Sequence, residues 1–175
     1  MIDIQVLLIS GKAGSGKDHY AEYIKQKLET DTYKIKITHF ADYLKYILTK
    51  YKHWDGQKDE NGRNLLNIVG NGVRLADDCF WARVLSNEIA IAEGDYDLFI
   101  VPDLRFKSEL KEFTERFDCK AIRINMNRES PLTESQQRNM AEVEFDDCSK
   151  ETFACFVDSE KDIDNFLEEM NYGKH

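Results

Sequence analysis

Eight consecutive residues, Gly11-Lys12-Ala13-Gly14-Ser15-Gly16-Lys17-Asp18, join three glycines to an amine and a carboxylate, a combination equipped to hold phosphate. Glycines at 11, 14 and 16 permit positive φ, so successive N–H groups turn inward on one anion, and Lys17 adds a cation that reaches the outer phosphates. The spacing G-x-x-x-x-G-K carries this meaning when a strand precedes it and a helix follows. Both are legible. The apolar run Val6-Leu7-Leu8-Ile9 leads in, and a helix with Ala21, Ile24 and Leu28 on one face leads out, aiming its positive dipole end at the same point. Gly11, Lys12, Ala13, Gly14, Ser15, Gly16, Lys17, Asp18 and His19 form the candidate nucleotide-binding set. Asp18 stands where Ser or Thr normally offers magnesium a hydroxyl; a carboxylate engages the same ion directly or through water, and it also suits a first helical turn.

The loop needs a sheet to carry it. Strand and helix patterns alternate along the chain without a low-complexity linker or an internal repeat, which predicts an α/β fold with five mostly parallel strands. After the first strand, Lys34-Ile35-Lys36-Ile37-Thr38 alternates strictly, as at a sheet edge. A helix is expected over about 40–51, with Leu44, Ile47, Leu48 and Tyr51 at helical spacing. A polar turn over 53–62 follows, then one helix through Leu65 to Arg74 and another through Trp81, Val84, Leu85 and Ile89. Leu98-Phe99-Ile100-Val101 reads as a buried parallel strand, with Phe106, Leu110, Phe113 and Phe117 on the helix after it. Ala121-Ile122-Arg123-Ile124 and Phe153-Ala154-Cys155-Phe156-Val157 complete the sheet. A last helix carries Ile163, Phe166, Leu167 and Met170, with Ser159 as its expected N-cap. The polar segment over about 126–150 has no clear apolar face and reads as a lid over the site.

At 175 residues and 42% apolar content the chain suits one domain with one sizeable core. A net charge of −9 argues against nucleic acid and anionic membranes as partners, so any bound anion must be gripped by a local cluster of Lys and Arg. Cys79, Cys119, Cys148 and Cys155 lie far apart with no C-x-x-C pair; they read as reduced, mostly buried thiols rather than zinc ligands or disulfides. The first residues lack the basic and long apolar stretches of a signal peptide or membrane span, and the expected location is the cytoplasm, a host's if the source is viral.

In open α/β sheets, ligands lie beyond the carboxyl ends of the strands. Asp103 and Arg105, in Val101-Pro102-Asp103-Leu104-Arg105, occupy such a position. If their strand neighbours the first, Asp103 lies near the phosphate loop and can hold the water shell of magnesium as a Walker-B-type acid, with Arg105 aimed at the same cavity. The alternative is that Asp103 caps the next helix and Arg105 is solvated.

The loop with its Lys-Asp ending, Phe40-Ala41-Asp42-Tyr43-Leu44-Lys45, Trp54-Asp55-Gly56-Gln57-Lys58-Asp59 with Arg63 and Leu65-Leu66-Asn67-Ile68-Val69-Gly70, Arg74, Trp81, and Asp103-Leu104-Arg105-Phe106 with Glu109 together resemble the bacteriophage deoxynucleoside monophosphate kinases. More distantly, the chain is similar to animal-type phosphomevalonate kinase, whose loop also ends in Lys-Asp. The chain departs from the first family where Gln and Gly-Thr are usual, near Asn67 and Gly70-Asn71, and Arg138-Asn139-Met140-Ala141-Glu142 loosely echoes its His-x-Ser-Glu stretch. The resemblance implies a three-layer nucleoside-monophosphate-kinase-like fold, a single domain over 1–175 with an acceptor-binding insert over about 40–92 and the lid over about 126–150. It implies transfer of the γ-phosphate of ATP, with magnesium, to a (deoxy)nucleoside monophosphate by a monomer or homodimer. Lys17, Asp103 and Arg105 are then catalytic, joined by Arg128 and Arg138 from the lid, and Asp18 and Asp103 face the metal. Arg63 and Arg74, about three helical turns apart, become candidates to grip the acceptor phosphate through forked hydrogen bonds. Asp42, Lys45 and Trp81 complete the acceptor set, although Asp42 can cap its helix, Lys45 can be a surface lysine and Trp81 shares a helical face with core residues.

Three other classes bear on the same loop. A GTPase requires a guanine-reading Asn-Lys-x-Asp stretch, which is missing. A non-catalytic nucleotide-binding module has no use for Asp103, Arg105 and an arginine-bearing insert. A kinase of another small metabolite, such as phosphomevalonate or dephospho-coenzyme A, keeps every one of these features, and fold analogy does not separate it from the first reading.

Overall fold

The computed structural model describes residues 2–57, 59–125, 132, 137, 140–148 and 150–170. Strand β1 (Ile2–Gly11) runs through the middle of a five-stranded sheet, flanked by β3 (Leu98–Leu104) and β4 (Phe117–Ile124), with β2 (Ile35–Ile37) and β5 (Cys155–Val157) outside them in the order β2-β3-β1-β4-β5. All four pairings are parallel, and the alternating β2 is indeed an edge strand. β1 is apolar on both faces because both are covered. Leu7 and Ile9 pack under helices α1 (Lys17–Leu28) and α7 (Glu160–Met170), while Ile4, Val6 and Leu8 face α4 (Phe80–Ile91) and α5 (Lys107–Arg116). Helices on both sides make the fold three-layered.

A third, smaller core lies off the sheet. Helix α2 (Asp42–Lys52) lays Leu44 and Leu48 against α3 (Glu60–Ala76) and the Trp81 ring. Helix α3 begins inside the stretch expected to be a turn: Asp59 caps it by accepting the N–H of Gly62 at 2.8 Å. Gly62 looks like a helix breaker, yet it is required there, since a Cβ would stand 2.0 Å from the Gln57 carbonyl oxygen.

Other boundaries shift for similar local reasons. Phe117 opens β4 instead of closing α5, and Phe106 precedes α5. Ser159 precedes α7, but the capping group is Asp162, whose Oδ2 accepts the N–H groups of Asp158 and Ser159 and the Ser159 hydroxyl. All four cysteines are free thiols, each partly exposed rather than buried. In the polar segment expected to lack a clear apolar face, α6 (Met140–Val143) leads to Phe145, which is buried edge-on against Phe153 at 5.2 Å. Among the described residues no helix is long and apolar enough to cross a membrane.

Candidate active site

The sheet order reverses at β1, which pairs with β3 on one side and β4 on the other, so a crevice opens beyond its carboxyl end. The glycine-rich loop fills that position. Gly14 and Gly16 have φ of 80° and 87°, and at Gly11 a Cβ would stand 2.6 Å from the Ser15 hydroxyl oxygen. Lys17 opens α1 and folds back over the loop, its Nζ donating to the carbonyls of Gly11 (2.7 Å) and Lys12 (2.8 Å). Burial, and next the Arg105 guanidinium, lower its amine to about 8 against the pull of Glu142, Asp18 and Asp103. The Ser15 hydroxyl is buried with no hydrogen-bond partner among the described residues.

A cleft of about 390 Å³ adjoins the loop and reaches under α2 and α3. Of the residues singled out from sequence, Ala13, Gly14, Lys17, Asp18, Lys45, Arg63, Arg74, Trp81, Asp103 and Arg105 line it. Gly11, Lys12, Ser15 and Gly16 shape the loop without lining the cleft. Asp42 stands just behind the wall. His19 does not join them, because its ring turns to Glu160 of α7 at 3.3 Å. Arg128 and Arg138 lie outside the described residues.

Each acidic group has a definite place. Asp103 ends β3 beside the loop, and its carboxylate accepts the N–H groups of Phe40 (3.0 Å) and Ala41 (3.2 Å). It thus ties the lead-in of α2 to the end of β3, next to Arg105, and makes no contact of this kind with the helix that follows Asp103 in sequence. Asp42 accepts from the His39 N–H and from Lys45 Nζ, both within α2 or its lead-in, so Lys45 enters the cleft already oriented. Burial opposes the charge on Asp42, but the His39 and Lys45 hydrogen bonds hold its carboxyl well below the usual range. Trp81 is only 3% exposed and donates its indole N–H to the Gly70 carbonyl at 3.1 Å, so it joins α3 to α4 as a core ring that borders the cleft.

Three residues with no assigned role in the sequence reading belong to the site. His39 lies between Asp18 (3.4 Å) and Asp42 (3.3 Å), and hydrogen bonds to those two carboxylates raise it to about 9, so it is a cation at neutral pH. Glu142 accepts the Ala13 N–H at 2.8 Å and an Arg105 N–H at 2.5 Å, laying a carboxylate on the phosphate loop from far along the chain. Glu109, only 1% exposed, pairs with Arg74 and accepts the N–H groups of Arg105 and Phe106 at the start of α5. Burial pushes Glu109 up to about 6 in spite of Arg74. Of these, the motifs single out Glu109, by its place after Asp103-Leu104-Arg105-Phe106, and Glu142, as the end of the stretch that loosely echoes His-x-Ser-Glu; His39 carries no such signal.

The model of the phosphomevalonate kinase family matches residues 9–119, nearly two thirds of the chain, from the loop through β3 and into β4. The match falls on the second of the two families that the motifs resemble. No curated protein matches. Among solved structures, a cysteine-to-alanine mutant of the Mycobacterium tuberculosis APS kinase CysC is similar over 96% of this chain and 99% of that one, with 15% identity and a TM-score of 0.47.

Proposed function

The chain belongs to the phosphomevalonate kinase family, and from that premise we propose that it transfers the γ-phosphate of ATP to the phosphate group of a small phosphorylated metabolite, phosphomevalonate being the first to test. The observation that carries this reading is the shared cleft. Lys17 and Asp18 stand on the loop wall, Lys45, Arg63 and Arg74 on the α2–α3 wall, and Asp103 and Arg105 between them. Two anions can therefore be seated end to end with cations at both ends.

In this reading an oxygen of the acceptor phosphate forms the new bond to the γ-phosphorus while the bond to the departing ADP oxygen breaks. Acceptor phosphates are ionised near neutral pH, so no side chain has to remove a proton, and the protein's work is positioning and charge neutralisation. Lys17 and the loop amides hold the donor phosphates, Arg105 stabilises the transferring group, and Arg63, Arg74 and Lys45 hold the acceptor. Among the described residues no three metal-ligating side chains cluster. That donor set suits magnesium, which takes one or two carboxylates and otherwise relies on water and substrate phosphates. Asp18 and Asp103 would hold it, and it would neutralise charge on the phosphates being parted.

A nucleoside monophosphate is the second reading, favoured by Asn67 and Asn71, whose positions one turn apart on α3 line the cleft and suit amides that read the edge of a base. An ADP-release assay with phosphomevalonate, each common nucleoside and deoxynucleoside monophosphate, and dephospho-coenzyme A decides. Phosphomevalonate is expected to raise ADP release well above the acceptor-free rate. A larger rise with a nucleoside monophosphate would select the second reading, and no rise with any phosphorylated acceptor would reject both. In the same assay, Asp18→Ala is expected to shift the magnesium titration upward, with little change in ATP binding measured without metal. An unchanged titration would leave Asp18 as a helix-dipole and His39 partner alone.

A further inference from the structure

The cations of the cleft differ in how firmly they are held. Lys45 is tied to Asp42 and Arg105 to Glu142, and both lysine and arginine side chains there keep about a third of their surface in solvent. Arg74 is held differently. Its side chain is 20% exposed, its guanidinium lies 4.0 Å from the centre of the Phe106 ring, and its partner Glu109 is sealed from solvent. Glu109 has no freedom to turn away, because its second oxygen accepts the Arg105 and Phe106 N–H groups that begin α5. Arg74 Nε, meanwhile, is buried and has no hydrogen-bond partner among the described residues, although its side chain borders the cleft. A buried donor without a partner is unfavourable and marks a place where an acceptor group belongs.

We propose that Glu109 is the positioning residue of the acceptor site: it fixes the Arg74 guanidinium over the Phe106 ring, so that its remaining donors meet the acceptor phosphate at a set distance from the end of β3. The proposal rests on the reading that the cleft takes a phosphorylated acceptor. Its physical content is that one carboxylate binds α3, which carries the acceptor grip, to the first turn after Asp103 and Arg105, which face the transferring group. Transfer in line depends on that spacing, and a displacement of about an ångström is enough to lower rates about a hundredfold.

The test is Glu109→Gln, which keeps the shape and an oxygen to accept the Arg105 and Phe106 N–H groups but loses the charge that holds Arg74. Acceptor kcat/KM is expected to fall about 30-fold, with the KM for ATP within twofold of the parent. In an Arg74→Ala background the same change is expected to have no further effect on acceptor kcat/KM, because the residue acts through Arg74. A merely structural role would give additive losses and would move the ATP KM as well; either result overturns the proposal. Phe106→Leu, which removes the stacking surface and leaves the carboxylate, is expected to produce a smaller loss of the same kind, and serves if Glu109→Gln does not fold. Nuclear magnetic resonance of Arg74 gives an independent readout: separate, slowly rotating Nη protons in the parent, averaged in Glu109→Gln. If no phosphorylated acceptor is turned over by the parent, the functional reading falls, and identical Arg74 signals in parent and variant would then overturn the role of Glu109 separately.

Discussion

Lys17→Ala is expected to lower kcat at least a hundredfold, a loss of about 3 kcal/mol of transition-state stabilisation, while the protein keeps its fold. The amine lies over the loop on the carbonyls of Gly11 and Lys12, at the mouth of the cleft, and contributes nothing to either sheet core. Its removal therefore strips a charge from the phosphates without opening a cavity, and thermal melting should stay near the parent value. The depressed amine adds a second observable. Burial and Arg105 bring it to about 8, so the ligand-free enzyme loses this cation as pH rises through that value, and the KM for ATP should climb above about pH 8. A variant with the parent's kcat would remove Lys17 from the mechanism.

Arg74→Ala and Arg63→Ala should both raise the acceptor KM, each by about 2 kcal/mol or about 30-fold, far more than they raise the KM for ATP. Arg74→Ala should also lower stability. Truncating Arg74 leaves the sealed Glu109 without its cation, and a buried group stripped of its partner costs about 1–3 kcal/mol. Arg63 lies on the same face of α3, three turns nearer its start. Denaturant melts of the two variants beside acceptor KM values would separate these effects. Parent-like acceptor KM values in both would move the acceptor elsewhere in the cleft.

The strand, glycine-rich loop and helix at the start of the chain were legible because all of the signal is local: glycine spacing, one lysine and the flanking periodicities lie within about twenty residues. Asp103 could be placed because strand ends in such sheets border the crevice, and the pairing of β3 with β1 brings it there. The alternative reading has Asp103 cap the helix that follows it; its carboxylate accepts instead the N–H groups of Phe40 and Ala41 ahead of α2, 63 and 62 residues away in the chain. Residues whose meaning arises only from packing were not recoverable. His39 is a lone histidine in Thr38-His39-Phe40, and it becomes a bridge only because β2 ends beside α1. Glu142 reaches the loop across 129 residues. Glu109, amid charged neighbours on α5, has the pattern of a solvated face until Arg74 closes over it. Gly62 concealed the start of α3 because its close approach to Gln57 cannot be read from composition.

The central position of β1 has a consequence for how the chain becomes a protein at all. β1 precedes both of its partners in the sequence, and β3 and β4 follow it by about ninety and more than a hundred residues. On a ribosome, its two hydrogen-bonding edges and the apolar face that packs under α4 and α5 emerge long before anything can cover them. Nonlocal parallel pairing of this kind slows folding and leaves an aggregation-prone strand exposed in the interval. The phosphate loop inherits the delay: Gly11 pairs with Ile124, so the loop takes its final seat only when β4 has been made. If the loop holds ATP as proposed, a ribosome-bound fragment ending before β4 should emerge dependent on chaperones and unable to retain it.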